Sequence, residues 1–210
     1  KHPLSFSPIS RVPLAANGSW SLQVSEVEIL KAIKSFPAGS SGGPDGVRPQ
    51  HLSELVKCPQ SGPQLLSAVT SLINCLLRGA CPDSIRPVLF GASLIALNKK
   101  SGGTRPIAIG YTWRRIAAKC AYAYPATVTA AYLQPIQVGV GVRGGCEAAV
   151  HATRRFLKTM SNDNVIAKLD FCNAFNTIKR SQMLSEVQLC VPDILQFCNL
   201  ACGSPSKLRY

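Results

Sequence analysis

Residues 88–109 read VLFGASLIALNKKSGGTRPIAI. Two apolar runs, 88–97 and 105–109, flank the polar turn NKKSGGT. Apolar runs around a Ser-Gly-Gly turn predict a β-hairpin, because glycine reaches the positive φ values a tight reversal needs. Lys99 and Arg105 stand six apart on opposite sides of that turn. In a tight hairpin both face one side, and with glycine-exposed amides they make a clamp for phosphate. The competing reading is an ordinary basic surface hairpin.

Helical periodicity surrounds the hairpin. Downstream it fits 112–124 and 146–159, then 180–190 and 194–202. Upstream, Ser25 and Glu28 form a capping box, Val24 and Ile29 a hydrophobic staple, and Val27, Leu30 and Ile33 an apolar face that ends before Pro37. A second helix fits 63–78, closed by Gly79. Between these two, 38–46 (AGSSGGPDG) reads as a flexible loop. Residues 165–170 (VIAKLD) read as a buried strand ending in an acid, and 1–21 as an irregular lead-in rich in Pro and Ser. Helices mixed with a few strands and no internal repeat predict an α+β fold.

The chain has 210 residues, 46% of them hydrophobic and 16% charged. That composition excludes a disordered chain, and 16 Gly with 15 Pro exclude a coiled coil. The longest uncharged stretch, 120–142, is broken by Pro125, Pro135, Gln134 and Gln137 and does not make a membrane span. Nine cysteines without a CxxC pair, and no His near Cys190, Cys198 and Cys202, argue against zinc and for reduced thiols in an intracellular protein. The chain opens on Lys1 without a signal-peptide pattern, as expected of a fragment of a longer, non-secreted product.

The net charge is +13, and no carboxylate occurs from Ser84 to Cys146. That stretch carries Arg86, Lys99, Lys100, Arg105, Arg114, Arg115, Lys119 and Arg143, a bias that points to a polyanion such as nucleic acid. Most of the ten Asp and Glu fit caps and turns; Glu147, for example, opens a helix four residues before His151. Asp170 does not. It sits in an apolar setting, where a carboxylate needs a metal or a cationic partner. Residues 137–145 (QVGVGVRGG) allow close backbone approach but lack both the GxGxxG spacing and a P-loop ending.

Four segments, taken in order, resemble the reverse transcriptases of non-long-terminal-repeat retrotransposons. They are EVEILKAIKSFPAGSSGGPDGVRPQHL (26–52), LIALNKKSGGTRPIAIGYTWRRIAAK (94–119), QVGVGVRGGCEAAVHATRRF (137–156) and KLDFCNAFNTIKRSQML (168–184). The resemblance implies a right-hand polymerase. Its fingers would cover 22–160, and 161–210 would begin a palm with an incomplete antiparallel sheet. It further implies that Asp170 is the first palm aspartate and, with the Phe171 carbonyl, a ligand of two Mg²⁺ ions. Lys99 and Arg105 would hold the incoming triphosphate, as would the backbone amides of Asn173 and Ala174. Phe175 would be the steric gate that rejects a 2′-hydroxyl, although an ordinary core aromatic is the competing reading. Gln137, Gly139 and Arg143 would lie along the template.

The implied partners are an RNA template, a DNA primer and dNTPs, with no membrane, in the cytoplasm and nucleus. The family's later Asp-Asp pair has no counterpart: beyond Asp170 the acids are the isolated Glu186 and Asp193. The chain alone is therefore expected to be inactive in DNA synthesis. A non-catalytic nucleic-acid-binding module is the alternative.

Overall fold

The computed structural model describes residues 21–98, 100, 102–133, 135–161, 163–171 and 174–209. Almost all of the irregular lead-in therefore lies outside the described residues, as do Lys99 and Asn173. The fold is α+β. In chain order the elements are α1 (Glu26–Lys34), α2 (Pro49–Leu55), α3 (Gly62–Leu77), α4 (Arg86–Leu89), β1 (Ala92–Asn98), β2 (Thr104–Gly110), α5 (Thr112–Ala123), α6 (Ala126–Leu133) and α7 (Gly145–Thr159). Then follow α8 (Ala174–Thr177), α9 (Arg180–Cys190), a 3₁₀ turn at Pro192–Ile194, α10 (Leu195–Cys202) and β3 (Leu208–Arg209). The chain divides into two compact units, residues 1–121 with 179–210, and residues 122–178.

The first unit holds the core. α1 starts as its sequence dictates: the Ser25 hydroxyl accepts from the Glu28 N–H at 3.4 Å, and the Glu28 carboxylate accepts from the Ser25 N–H at 2.8 Å. Its buried face is Ile29, Ala32 and Ile33, whereas Val27 is 61% exposed. The inward stripe is thus rotated from the one expected through Val27. α3 contributes Val69, Ile73, Leu76 and Leu77, and Gly79, at φ +73°, turns the chain out of it. Asn74 on α3 uses its amide as a strand would. It accepts from the Val24 N–H at 2.8 Å and donates to the Val24 carbonyl at 2.9 Å, which fixes the entry to α1. Ile116, Ala117 and Cys120 of α5 and Phe197 and Leu200 of α10 complete the cluster.

The sheet has the order β2-β1-β3. β1 and β2 pair antiparallel from Ala92 opposite Gly110 to Asn98 opposite Thr104. The turn contains Gly102 and Gly103 at φ +84° and +83°, values that a residue with a Cβ reaches only with strain. The first strand starts at Ala92 and not at 88, because Arg86–Leu89 closes one helical turn instead. β3 pairs parallel to β1, so this small sheet is mixed.

The expected strand at 165–170 does not form. The backbone there is irregular, and Val165, Leu169 and Phe171 are 88%, 79% and 76% exposed. An apolar run becomes a strand only where a neighbour satisfies its N–H and C=O groups. Among the described residues, the only sheet is β2-β1-β3. The expected antiparallel sheet around Asp170 is therefore not present among them.

Candidate nucleic-acid interface

The loop expected to be flexible is tied down. The Asp45 carboxylate accepts from the Trp113 indole N–H at 3.2 Å and from the Val47 N–H at 3.1 Å. Thr112 donates its hydroxyl to the Val47 carbonyl at 2.5 Å, and an Arg115 guanidinium N–H donates to the Ser41 carbonyl at 2.6 Å. A Cβ on Gly43 would stand 2.5 Å from the Tyr111 Cα, so glycine is what lets this loop lie against the chain. The Gly-Pro-Asp-Gly loop is thus docked on the residues that directly follow β2. Two segments 68 positions apart, read separately in the sequence, form one piece of structure.

The hairpin beside it has two halves. At its base Ala92 and Gly110 are buried; towards the turn, residues 95–98, 100 and 102–106 are all exposed. Both faces of the outer hairpin therefore meet solvent, and Arg105 stands exposed opposite Leu97.

The carboxylate-free stretch proves to contain two kinds of cation. Arg86 is buried and donates to the Leu200 carbonyl at 2.7 Å and the Ser204 carbonyl at 3.3 Å. Its charge meets the carbonyls at the C-terminal end of α10, where the helix dipole favours a cation. Arg114 donates to the Phe90 carbonyl at 2.5 Å, and burial lowers the pKa of its guanidinium and that of Arg115 from the ordinary value. The Arg115 guanidinium carbon lies 4.9 Å and the Lys119 ammonium 4.5 Å from the centre of the Phe36 ring. These four side chains hold backbone or an aromatic ring. Lys100, Arg105 and Arg143 are exposed. Composition could not separate the two groups, because both look alike as charge.

Asp170, Ala174, Phe175, Gln137, Gly139 and Arg143 belong to the second unit, and Arg105 to the first. Asp170 is exposed and makes no ion pair or hydrogen bond with a described residue, so the buried cation partner is excluded as its explanation. No group of three or more His, Cys, Asp or Glu side chains gathers anywhere among the described residues. One free carboxylate followed by the Phe171 carbonyl is too small a donor set for a pair of Mg²⁺ ions, which need several oxygen ligands each. Ala174 opens α8, a single turn that includes Phe175.

Residues 137–145 fold on themselves. The Gln137 side-chain oxygen accepts from the Gly139 N–H and, at 2.9 Å, from the Val140 N–H. A Cβ on Gly141 would meet the Ala130 side chain, and one on Gly145 the Val138 carbonyl. Gly141 and Gly145 serve local packing, with Arg143 exposed at the loop's side.

None of the described helices is long and apolar enough to cross a membrane. Comparison with known proteins finds no family model and no curated protein that matches this chain.

Proposed function

We propose that the chain is the fingers region and first palm segment of an RNA-directed DNA polymerase of the retrotransposon kind, with the right-hand architecture that this implies. One observation carries the reading. The Gly-Pro-Asp-Gly loop is hydrogen-bonded to the helix that follows the hairpin, so two of the four segments bearing the resemblance make a single packed body. That body presents Arg105 on an exposed arm, beside a glycine turn whose amides are open to a phosphate group. The free carboxylate of Asp170 is available to a metal and lacks only its companions.

The test is primer extension on an RNA template by a polypeptide that carries this sequence together with the later Asp pair. Asp170→Asn abolishes synthesis and leaves template binding nearly intact. Phe175→Ala retains synthesis and admits ribonucleotides, since it removes the clash with the 2′-hydroxyl. Arg105→Ala raises the KM for dNTPs. Template-dependent extension by the 210-residue chain alone, or wild-type synthesis by Asp170→Asn, refutes the reading. Nucleic-acid binding with no synthesis in any context leaves the non-catalytic module as the answer.

A further inference from the structure

At the C-terminal end of α1 there is a cleft of about 250 Å³, lined by Lys34, Phe36, Pro37, Pro49, Gln50 and Ser53 among others. It is formed by the last turn of α1, the segment after it and α2. It is smaller than the ~300–1,000 Å³ of pockets that enclose drug-sized ligands. A single planar ring is the right scale for it; a whole dinucleotide cofactor is not.

Its lining divides by chemistry. Phe36, Pro37 and Pro49 are apolar and rigid, a surface on which a flat ring packs. Gln50 and Ser53 supply donors and acceptors at its side. The charge around it is mainly positive. Lys34 is exposed, and Lys119 and Arg115 approach the same Phe36 ring from α5. None of the lining residues is acidic. Glu54, on the same helix, accepts from the Gln50 amide at 2.8 Å and so orients that side chain. Rigid apolar side chains beside an exposed lysine combine the two features by which proteins hold single strands: a surface for a base and positive charge for a neighbouring phosphate.

We propose that this cleft holds one base of a single-stranded nucleic acid, with a flanking phosphate on Lys34. The site is separate from the hairpin. It stands whether or not the chain belongs to a polymerase, because it needs neither Asp170 nor a metal.

The probe is a fluorescein-labelled 12-nucleotide single-stranded RNA, followed by anisotropy, and a second strand of the same length carrying 2-aminopurine. Lys34→Glu, at an exposed position, weakens binding about tenfold and lowers the salt slope by roughly 0.7 for each phosphate that is no longer neutralised. Phe36→Leu keeps an apolar side chain against the core and removes the π face. It reduces the 2-aminopurine quench while the thermal midpoint stays within a few degrees of wild type. Lys158→Ala, at an exposed position of α7, leaves the quench unchanged, which separates this site from general surface charge. Wild-type binding by both Lys34→Glu and Phe36→Leu overturns the proposal. So does a quench that responds to Lys158→Ala alone, or equal competition by polyglutamate that depends on the same two residues.

Discussion

Residues 122–178 and the rest of the chain use similar residues to opposite ends. In the first unit, Ile29, Ile73, Leu77 and Phe90 are at most 2% exposed, and Phe90 stacks obliquely on Phe197 at 6.2 Å between ring centres. In the second unit, Ala130 is the only buried hydrophobic side chain among those described. Tyr132 and Ile136 are 80% and 95% exposed, and α7 shows Val150, Phe156 and Leu157 about half exposed. Helical periodicity is as clear in α7 as in α3. Periodicity states which face of a helix is apolar; burial requires a second surface, and only α3 has one among the described residues.

The widest separation is between thiols buried in the core of the first unit and thiols outside it. Burial pushes the Cys120 and Cys198 thiols up to about 11, whereas Cys146 of the second unit is exposed. In native protein at pH 8, iodoacetamide labels Cys146 readily, and Cys120 and Cys198 more than ~100-fold more slowly, because the thiolate is the reactive form. Cys58 joins the fast group, since hydrogen bonds from the Ser61 side chain, the Ser61 N–H and the Gln60 N–H lower its pKa. Mass spectrometry of timed samples reads all four. Labelling of Cys120 as fast as Cys146 would mean that the core of the first unit opens freely.

Core truncation comes next. Ile73→Ala costs ~2–5 kcal/mol, while Leu169→Ala changes stability by less than ~0.5 kcal/mol, both read from urea unfolding. An equal cost at Leu169 would show that 165–171 is packed in solution. The cations sharpen the contrast further. Arg86→Met strips a donor from the Leu200 and Ser204 carbonyls and costs ~1–3 kcal/mol, whereas Arg105→Ala leaves the melting temperature unchanged. A stability loss at Arg105 would make it a structural cation as well.

The smallest effect lies at the start of α1. Ser25→Ala removes the cap and costs ~1 kcal/mol. Hydrogen bonds from the Ser25 N–H and hydroxyl hold the Glu28 carboxyl below its usual range. A depressed carboxylate pKa contributes stability that is fully present above the unfolded value and is lost as pH falls through the folded one. In Ser25→Ala the acid-dependent part of this stability shrinks, because the hydroxyl bond is gone. Unfolding measured from pH 7 down to pH 3 compares the two proteins. An unchanged acid slope would place the effect elsewhere.

The elements governed by local rules were legible in the sequence. The capping box, the Gly79 exit, the Ser-Gly-Gly reversal and the helices at 180–190 and 195–202 stand within a residue or two of expectation. The misses have a common cause. The strand at 165–170, the Val27 face and the flexibility of 38–46 each depend on what a distant segment does. Asp45 finds Trp113, whereas residues 165–170 find no strand partner among the described residues. Charge was the least legible of all. Arg86 and Arg105 count equally in the sequence, but one holds carbonyls inside the first unit and the other stands in solvent.

β3 has a consequence in time. Leu208 and Arg209 complete the sheet beside Ala92 and Ser93, and Phe197 and Leu200 complete the core around α3. During synthesis the ribosome releases α3, the hairpin and α5 well before those residues exist. At the ~5–20 residues per second of translation, the roughly ninety residues after Ala121 take about 5 to 20 s. For that interval the nascent chain carries an unclosed core and an unpaired strand edge, with the whole of 122–178 emerging in between. Chaperone demand on this sequence is set by the order of its segments and falls if α10 and β3 are moved ahead of residue 122.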